Sequence, residues 1–198
     1  MEDKQKAKMV IVKKVEELVY HACKQKTNFY GRNIWEHIKL VVKYSKTLAQ
    51  KLGADEEICE LSAWLHDYAA ILNKDWIEDH HLHGSKLAGK VLQEFGYPKD
   101  KIKKVKHCIF THRASKKIPR HSLEAKIVAS ADAMAHFDLV YGLFYLVYRK
   151  KKLGLETGRK WILAKLERSF KKLIPEAKEL IKPKYQAIRL LFEFRNSD

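Results

Sequence analysis

Residues 34–53 read IWEHIKLVVKYSKTLAQKLG, and their apolar side chains recur at steps of three and four: Ile34, Ile38, Val41, Val42, Leu48, Ala49 and Leu52 share one face. That spacing is the 3.6-residue period of an amphipathic helix. Gly53 stands just past its end, where a left-handed residue closes a helix. His37 falls on the apolar face beside Ile34, Ile38 and Val41, pointing inward. A second helix is expected from Asp55, a capping residue followed by Glu56 and Glu57, through LSAWLHDYAAIL at 61–72. Further helices are expected at 7–26, 84–95, 99–113, 122–150, 157–173 and 176–194, with Pro183 kinking or splitting the last. Asn73–His83 and Arg113–His121 are left as loops. No segment alternates with period two, so the expected fold is all-α: a helical bundle with residues 1–198 as a single domain.

Composition agrees. With 8 Gly and 4 Pro in 198 residues, the chain is poor in the turn formers that a β-sandwich or barrel needs. Its 46% hydrophobic content can support a core, which argues against disorder. The three cysteines, Cys23, Cys59 and Cys108, form no C-x-x-C pair, so neither a disulfide framework nor a thiolate zinc site is expected, and a reducing cytoplasm fits. No signal-peptide pattern or membrane span is apparent; Phe137–Tyr148, interrupted by Asp138 and Gly142, reads as a buried helix.

The formal net charge is +16, which favours anionic or phosphorylated partners. Lys99–Lys126 holds 10 basic against 2 acidic residues, and Arg149–Arg195 holds 15 against 5. The C-terminal helices at 149–195 show an apolar side that includes Leu153, Trp161, Ile162, Leu166 and Phe170. Their lysines, Lys151, Lys152, Lys171 and Lys172 among them, are therefore read as a solvated face rather than as a polyanion site.

Histidines and aspartates break the pattern. His66 and Asp67 are adjacent in the apolar run 61–72, and Asp132 sits in KIVASADAMAHFD, another apolar helix. A lone inward histidine is ordinarily a satisfied core residue. Here two buried carboxylates have no basic residue within a turn. A carboxylate so placed costs several kcal/mol, and a metal ion is the simplest compensation. Imidazoles with carboxylates suit Mn²⁺, Fe²⁺, Co²⁺, Ni²⁺ or Mg²⁺.

The order His37, His66-Asp67, Asp132 resembles the HD-domain metal-dependent phosphohydrolase superfamily. The likeness extends over about residues 30–140, through HHLHGSKLAGKVLQEFGYPKDKI, VKHCIFTHR and LEAKIVASADAMAHFD. Tyr68 and Ala69 stand where many members have Ile-Gly. The resemblance implies a divalent ion held by His37, His66, Asp67 and Asp132, with two further histidines as ligands of a second ion in some members, or as contacts to the substrate phosphate. By its distance from Gly84-Ser85 the first would be His80, with His81 and His83 left open; the second would be His112, after Ile109. Helical phase favours His112 over His107, because 102, 105, 109 and 112 form one apolar stripe.

The activity implied is metal-assisted hydrolysis of a small phosphorylated substrate, a nucleotide first. Cations for the phosphate are sought among Arg113, Lys116, Lys117, Arg120 and Lys126, with Arg113 and Lys126 preferred. For proton transfer, the loop after His-Asp offers Lys74, Asp75, Glu78 and Asp79, with Asp75 preferred and Lys74 beside it. A nucleic-acid-binding or regulatory protein, or a di-iron oxygenase, is the alternative. No membrane partner is expected, and a homodimer is left open.

Overall fold

The computed structural model describes residues 2–31, 33–113, 116 and 118–192. In chain order its helices are α1 (Glu2–Lys24), α2 (Asn33–Leu52), α3 (Glu56–Leu65), α4 (Tyr68–Leu72), α5 (His80–Glu94), α6 (Lys99–Thr111), α7 (Leu123–Asp138), α8 (Val140–Phe144), α9 (Leu155–Lys172) and α10 (Pro175–Phe192). A 3₁₀ turn at Lys74–Trp76 joins α4 to α5, and a π-helical turn at Tyr145–Lys150 follows α8. Among the described residues there is no β-strand.

The centre is α7, which packs against α2, α3, α6, α9 and α10. Its buried positions are mostly small: Ala125, Ala129, Ala131, Ala133 and Ala135. Small side chains let neighbouring helices approach from several directions at once. Ser122 starts it, its hydroxyl accepting from Ala125 N at 3.2 Å. Asp55 caps α3 as expected, accepting from Glu57 N and Ile58 N at 3.1 and 3.2 Å. Gly53 ends α2 with φ +68°, and Ala54 N donates back to Ala49 O.

Several boundaries differ from the sequence reading, α1 among them, which runs from Glu2 to Lys24 rather than over 7–26. The run 55–69 is not one helix: the chain breaks at His66–Asp67, Asp67 taking φ −104°, ψ 4°. The segment 122–150 bends by 83° between α7 and the helical turns that follow, and Tyr141, Phe144 and Tyr145 are exposed rather than buried. Helix α5 begins at His80, four residues before the expected start, so the 73–83 segment is mostly ordered turns. Pro183 lies within α10, which runs through it unbroken.

Among the described residues no single helix is long and apolar enough to cross a membrane. All three cysteines are free and buried.

Candidate metal centre

His37 comes from α2, His66 and Asp67 from the break after α3, His80 from the first turn of α5, His112 from the end of α6 and Asp132 from the middle of α7. The break turns Asp67 away from the helical path. Gly84 lets α5 close on it: a Cβ there would stand 3.2 Å from Ile109 Cγ2 and 3.5 Å from the His66 carbonyl oxygen. Ser85 then ties α5 to α6, donating to Lys106 O at 3.1 Å.

The six side chains converge as two groups, His37/His66/Asp132 and Asp67/His80/His112, whose donor atoms lie within 4.8 Å of one another in each. Asp67 straddles them. Its Oδ2 is 3.3 Å from His66 Nε2 and 3.9 Å from His37 Nε2, while its Oδ1 is 3.4 Å from His80 Nε2. His37 Nε2 is also 3.5 Å from Asp132 Oδ1.

Three of the rings are fixed by the backbone carbonyl three residues upstream. The Nδ1 atoms of His66, His80 and His112 lie 2.7, 2.6 and 2.6 Å from the carbonyl oxygens of Ala63, Ile77 and Ile109. A carbonyl only accepts, so each Nδ1 carries a proton and each ring turns its Nε2 inward. His80 Nε2 and His112 Nε2 face each other at 3.0 Å. Two lone pairs at that distance repel unless a cation or proton lies between them. His66 Nε2 is buried without a hydrogen-bond partner. Orphaned inward nitrogens beside two carboxylates are what a divalent ion with nitrogen and oxygen ligands would satisfy, so the residues present fit one ion or two.

Electrostatics point the same way. Burial disfavours charge on His66, yet Asp67 and Asp132 outweigh it and push its pKa up to about 9. Burial likewise raises Asp132, but Lys172, His37, His136 and His66 more than offset this and hold it well below the usual carboxylate range. His112 goes the other way, lowered by burial and by its histidine neighbours.

The neighbouring residues only partly match expectation. His83 stacks on Trp76 with ring centroids 4.6 Å apart, and His81 is buried near Phe110; neither joins the cluster. His107 sits beside His121 outside it, as the helical phase requires. Arg113 reaches the cavity over the cluster, its Nη2 donating to Glu78 Oε2 at 2.8 Å while its Nη1 is buried without a partner.

The other preferred residues do not arrive. Lys126 is exposed on α7, and Lys74 and Asp75 are exposed on the 3₁₀ turn; none lines the cavity. Helical phase explains Lys126, whose neighbours Ala125 and Ile127 take the buried positions. The Lys74 amine and Asp75 carboxylate remain in water because Asn73 caps their turn, accepting from Asp75 N. Arg120 is spent on the Thr111 carbonyl at 3.0 Å, Lys116 is exposed, and Lys117 lies outside the described residues.

The C-terminal helices correct the sequence reading most. Lys172 is not solvated: only 8% of its side chain is exposed, and Nζ donates to Asp132 Oδ2 at 2.9 Å and to His112 O at 3.0 Å. Lys165, Arg168 and Ser169 of α9 also line the cavity, as do Lys150 and Lys151. His136, one turn beyond Asp132, stacks on His37 at 5.0 Å and puts Nε2 3.6 Å from Asp132 Oδ1. Its i+4 spacing from Asp132 was the available signal. The cavity itself is about 400 Å³, with Phe29, Tyr30, Leu143, Tyr145 and Trp161 on its apolar side.

Known proteins share this arrangement at the level of fold. Bacillus subtilis YpgQ in complex with ADP superposes with a TM-score of 0.71 at 22% identity, covering 96% of this chain and 98% of that one. A predicted HD superfamily hydrolase from an uncultured Thermotogales bacterium gives 0.58 at 18% identity, covering 91% and 92%. Ribonuclease Y of Fusobacterium nucleatum subsp. nucleatum is 27% identical over 106 residues, 54% of this chain but 19% of that protein. The chain thus spans about a fifth of that curated relative. The HD domain family model matches residues 34–136, a span that holds all six converging residues, and the chain belongs to that family.

Proposed function

We propose that the protein is a metal-dependent phosphohydrolase, cleaving a phosphate ester or anhydride of a nucleotide or another small phosphorylated substrate. An HD-type hydrolase fold supports hydrolysis in general terms. The observation that carries the finer reading is the joint geometry: five of the six His and Asp donors, with His66 behind them, line a 400 Å³ cavity that also presents cationic and aromatic side chains. That volume and lining suit a small ligand with a charged end and a flat apolar end.

His37, His66 and Asp132 would hold one ion, and Asp67, His80 and His112 a second or a substrate oxygen. Such an ion, when bound, polarises a phosphoryl oxygen and activates water for attack at phosphorus. Lys172 fixes Asp132 by its Oδ2, leaving Oδ1 toward the histidines. Arg113 offers its unpaired Nη1 to a phosphoryl oxygen. Glu78 at the rim has its pKa lowered by the Arg113 hydrogen bond, so at neutral pH it accepts a proton rather than donates one.

A phosphate-release screen over nucleotides and sugar phosphates, run with Mn²⁺, Co²⁺, Ni²⁺ and Mg²⁺ in parallel, tests the reading. Release with at least one ion is expected, together with loss of stoichiometric metal in Asp67→Ala. Stoichiometric binding by that variant, or no release with any ion, refutes it. The likeness to Ribonuclease Y favours one second reading, a nucleic-acid substrate, whose mark would be binding that falls steeply with salt. Two bound irons with oxygen uptake would replace both by an oxygenase.

A further inference from the structure

Six lysines and arginines line the cavity against three carboxylates, Asp67, Glu78 and Asp132. Most of these cations are already engaged. Arg113 is paired with Glu78, and Lys172 with Asp132. Lys150 lies 5.3 Å from the Phe29 ring centroid and 5.8 Å from that of Tyr145, and Lys151 lies 5.6 Å from that of Trp161.

Lys165 differs. Like the exposed Arg168 on the same helix, it has no carboxylate, carbonyl or aromatic partner among the described residues, and it faces the cavity from α9. Burial, opposed by Asp132 and reinforced by Lys172 and Arg168, pushes its pKa down to about 8, so it still carries its charge at neutral pH. Lys165 is half-buried, and a half-buried ammonium without a partner at a cavity wall is placed to pair with an anionic ligand.

Position on the helix gives that charge a place. Lys165, Ser169 and Lys172 follow at i, i+4 and i+7, so they share one face of α9, and all three line the cavity. Lys172 marks the end anchored at Asp132 and His112. Seven residues of helix put the Lys165 backbone about 10 Å away along the axis. The Lys165 ammonium is the strongest charge acting on His136, so it stands beside the His/Asp centre, while Lys172 is held by Asp132 and Lys165 is left for the ligand.

We propose that Lys165 and Ser169 form an anion subsite on α9, at the edge of the His/Asp centre, which takes a second phosphate group of the ligand. The proposal rests on reading the cavity as a substrate pocket, and it places ligand selection on a helix outside the family-matched residues 34–136. Substrates with two linked phosphates are favoured over those with one.

Calorimetric titration of the full chain with inorganic pyrophosphate and with orthophosphate, in chelator-treated buffer, tests this apart from catalysis. Lys165→Met is expected to weaken pyrophosphate binding about tenfold or more, the loss of one charge-assisted contact. Orthophosphate binding should change by less than about twofold, since it needs only one group. Lys165→Arg should restore pyrophosphate binding, which a purely structural role of the lysine stem would not predict. Lys165→Gln serves where the Met variant does not fold. Unchanged pyrophosphate binding in the Met and Gln variants, or equal losses for both anions, overturns the subsite. Should no phosphate ester be hydrolysed while Lys165-dependent pyrophosphate binding persists, the hydrolase reading fails and the subsite stands.

Discussion

Lys172→Met removes the ammonium that neutralises Asp132 while keeping most of the side-chain volume. The pair is nearly dry, with 8% and 13% of the two side chains exposed, and the Nζ–Oδ2 distance is 2.9 Å. Removing one partner of a buried ion pair costs about 3–5 kcal/mol, because the remaining charge is left uncompensated. The lower end applies here, since His37 and His136 stand 3.5 and 3.6 Å from the other carboxylate oxygen and share its charge. For a chain of this size about 3 kcal/mol corresponds to a fall in Tm of about 6–12 °C. That figure holds for protein stripped with a chelator. A divalent ion in the centre compensates Asp132 by another route, so with millimolar Mn²⁺ the loss should shrink to about 1 kcal/mol, or about 2–4 °C. Thermal unfolding followed by circular dichroism, on both proteins in both buffers, measures the four midpoints. Equal losses in chelator and in Mn²⁺ would show that Lys172 does not share its carboxylate with a metal. A loss below about 1 kcal/mol in chelator would show that the pair is not buried as described.

Two further outcomes follow from neighbouring residues. His112→Ala should lower turnover at least tenfold more than His107→Ala, since only His112 aims Nε2 into the cluster; equal effects in a steady-state assay would contradict that placement. Gly158→Ala should destabilise the protein by about 1–3 kcal/mol in denaturant titration, because a Cβ there would stand 2.6 Å from Val147 Cγ1 and closer still to Tyr148; an unchanged midpoint would mean that the turn at 145–150 yields freely.

Reading the sequence reached the elements whose signals are local. The period of α2, the Asp55 cap and the Gly53 terminus each depend on residues a turn or two apart, and each is present. The same locality separated His112 from His107, because the stripe Ile102, Val105, Ile109 is buried and carries His112 with it. The breaks were illegible for the same reason. No Gly or Pro marks His66–Asp67, where tertiary packing overrides a helical apolar pattern, and at Leu139 the neighbouring Asp138 and Gly142 were read as interruptions within a helix rather than as its bend. The start of α5 at His80 was hidden because Asp79 makes no side-chain capping bond. Lys165 and Lys172 were hidden more deeply. A lysine in a basic helix looks solvated until the neighbouring helix is known; the partner of Lys172 is a carboxylate from α7, and Lys165 lines the cavity beside it. Their shared phase with the buried Ile162, Leu166 and Ser169 was the one available clue.

The Asp132–Lys172 pair also sets an order of assembly. The counter-ion lies 40 residues downstream of the carboxylate it neutralises. At synthesis rates of about 5–20 residues per second, some 2–8 s separate the emergence of the two. During that interval the nascent 34–136 region holds its His and Asp side chains without α9, and only protons or a captured cation can offset Asp132. Metal available at the ribosome would therefore act as a folding aid for the early helices, with Lys172 arriving later as a permanent clasp. A chain truncated before α9 should depend on added divalent ion for its compactness far more than the whole protein does.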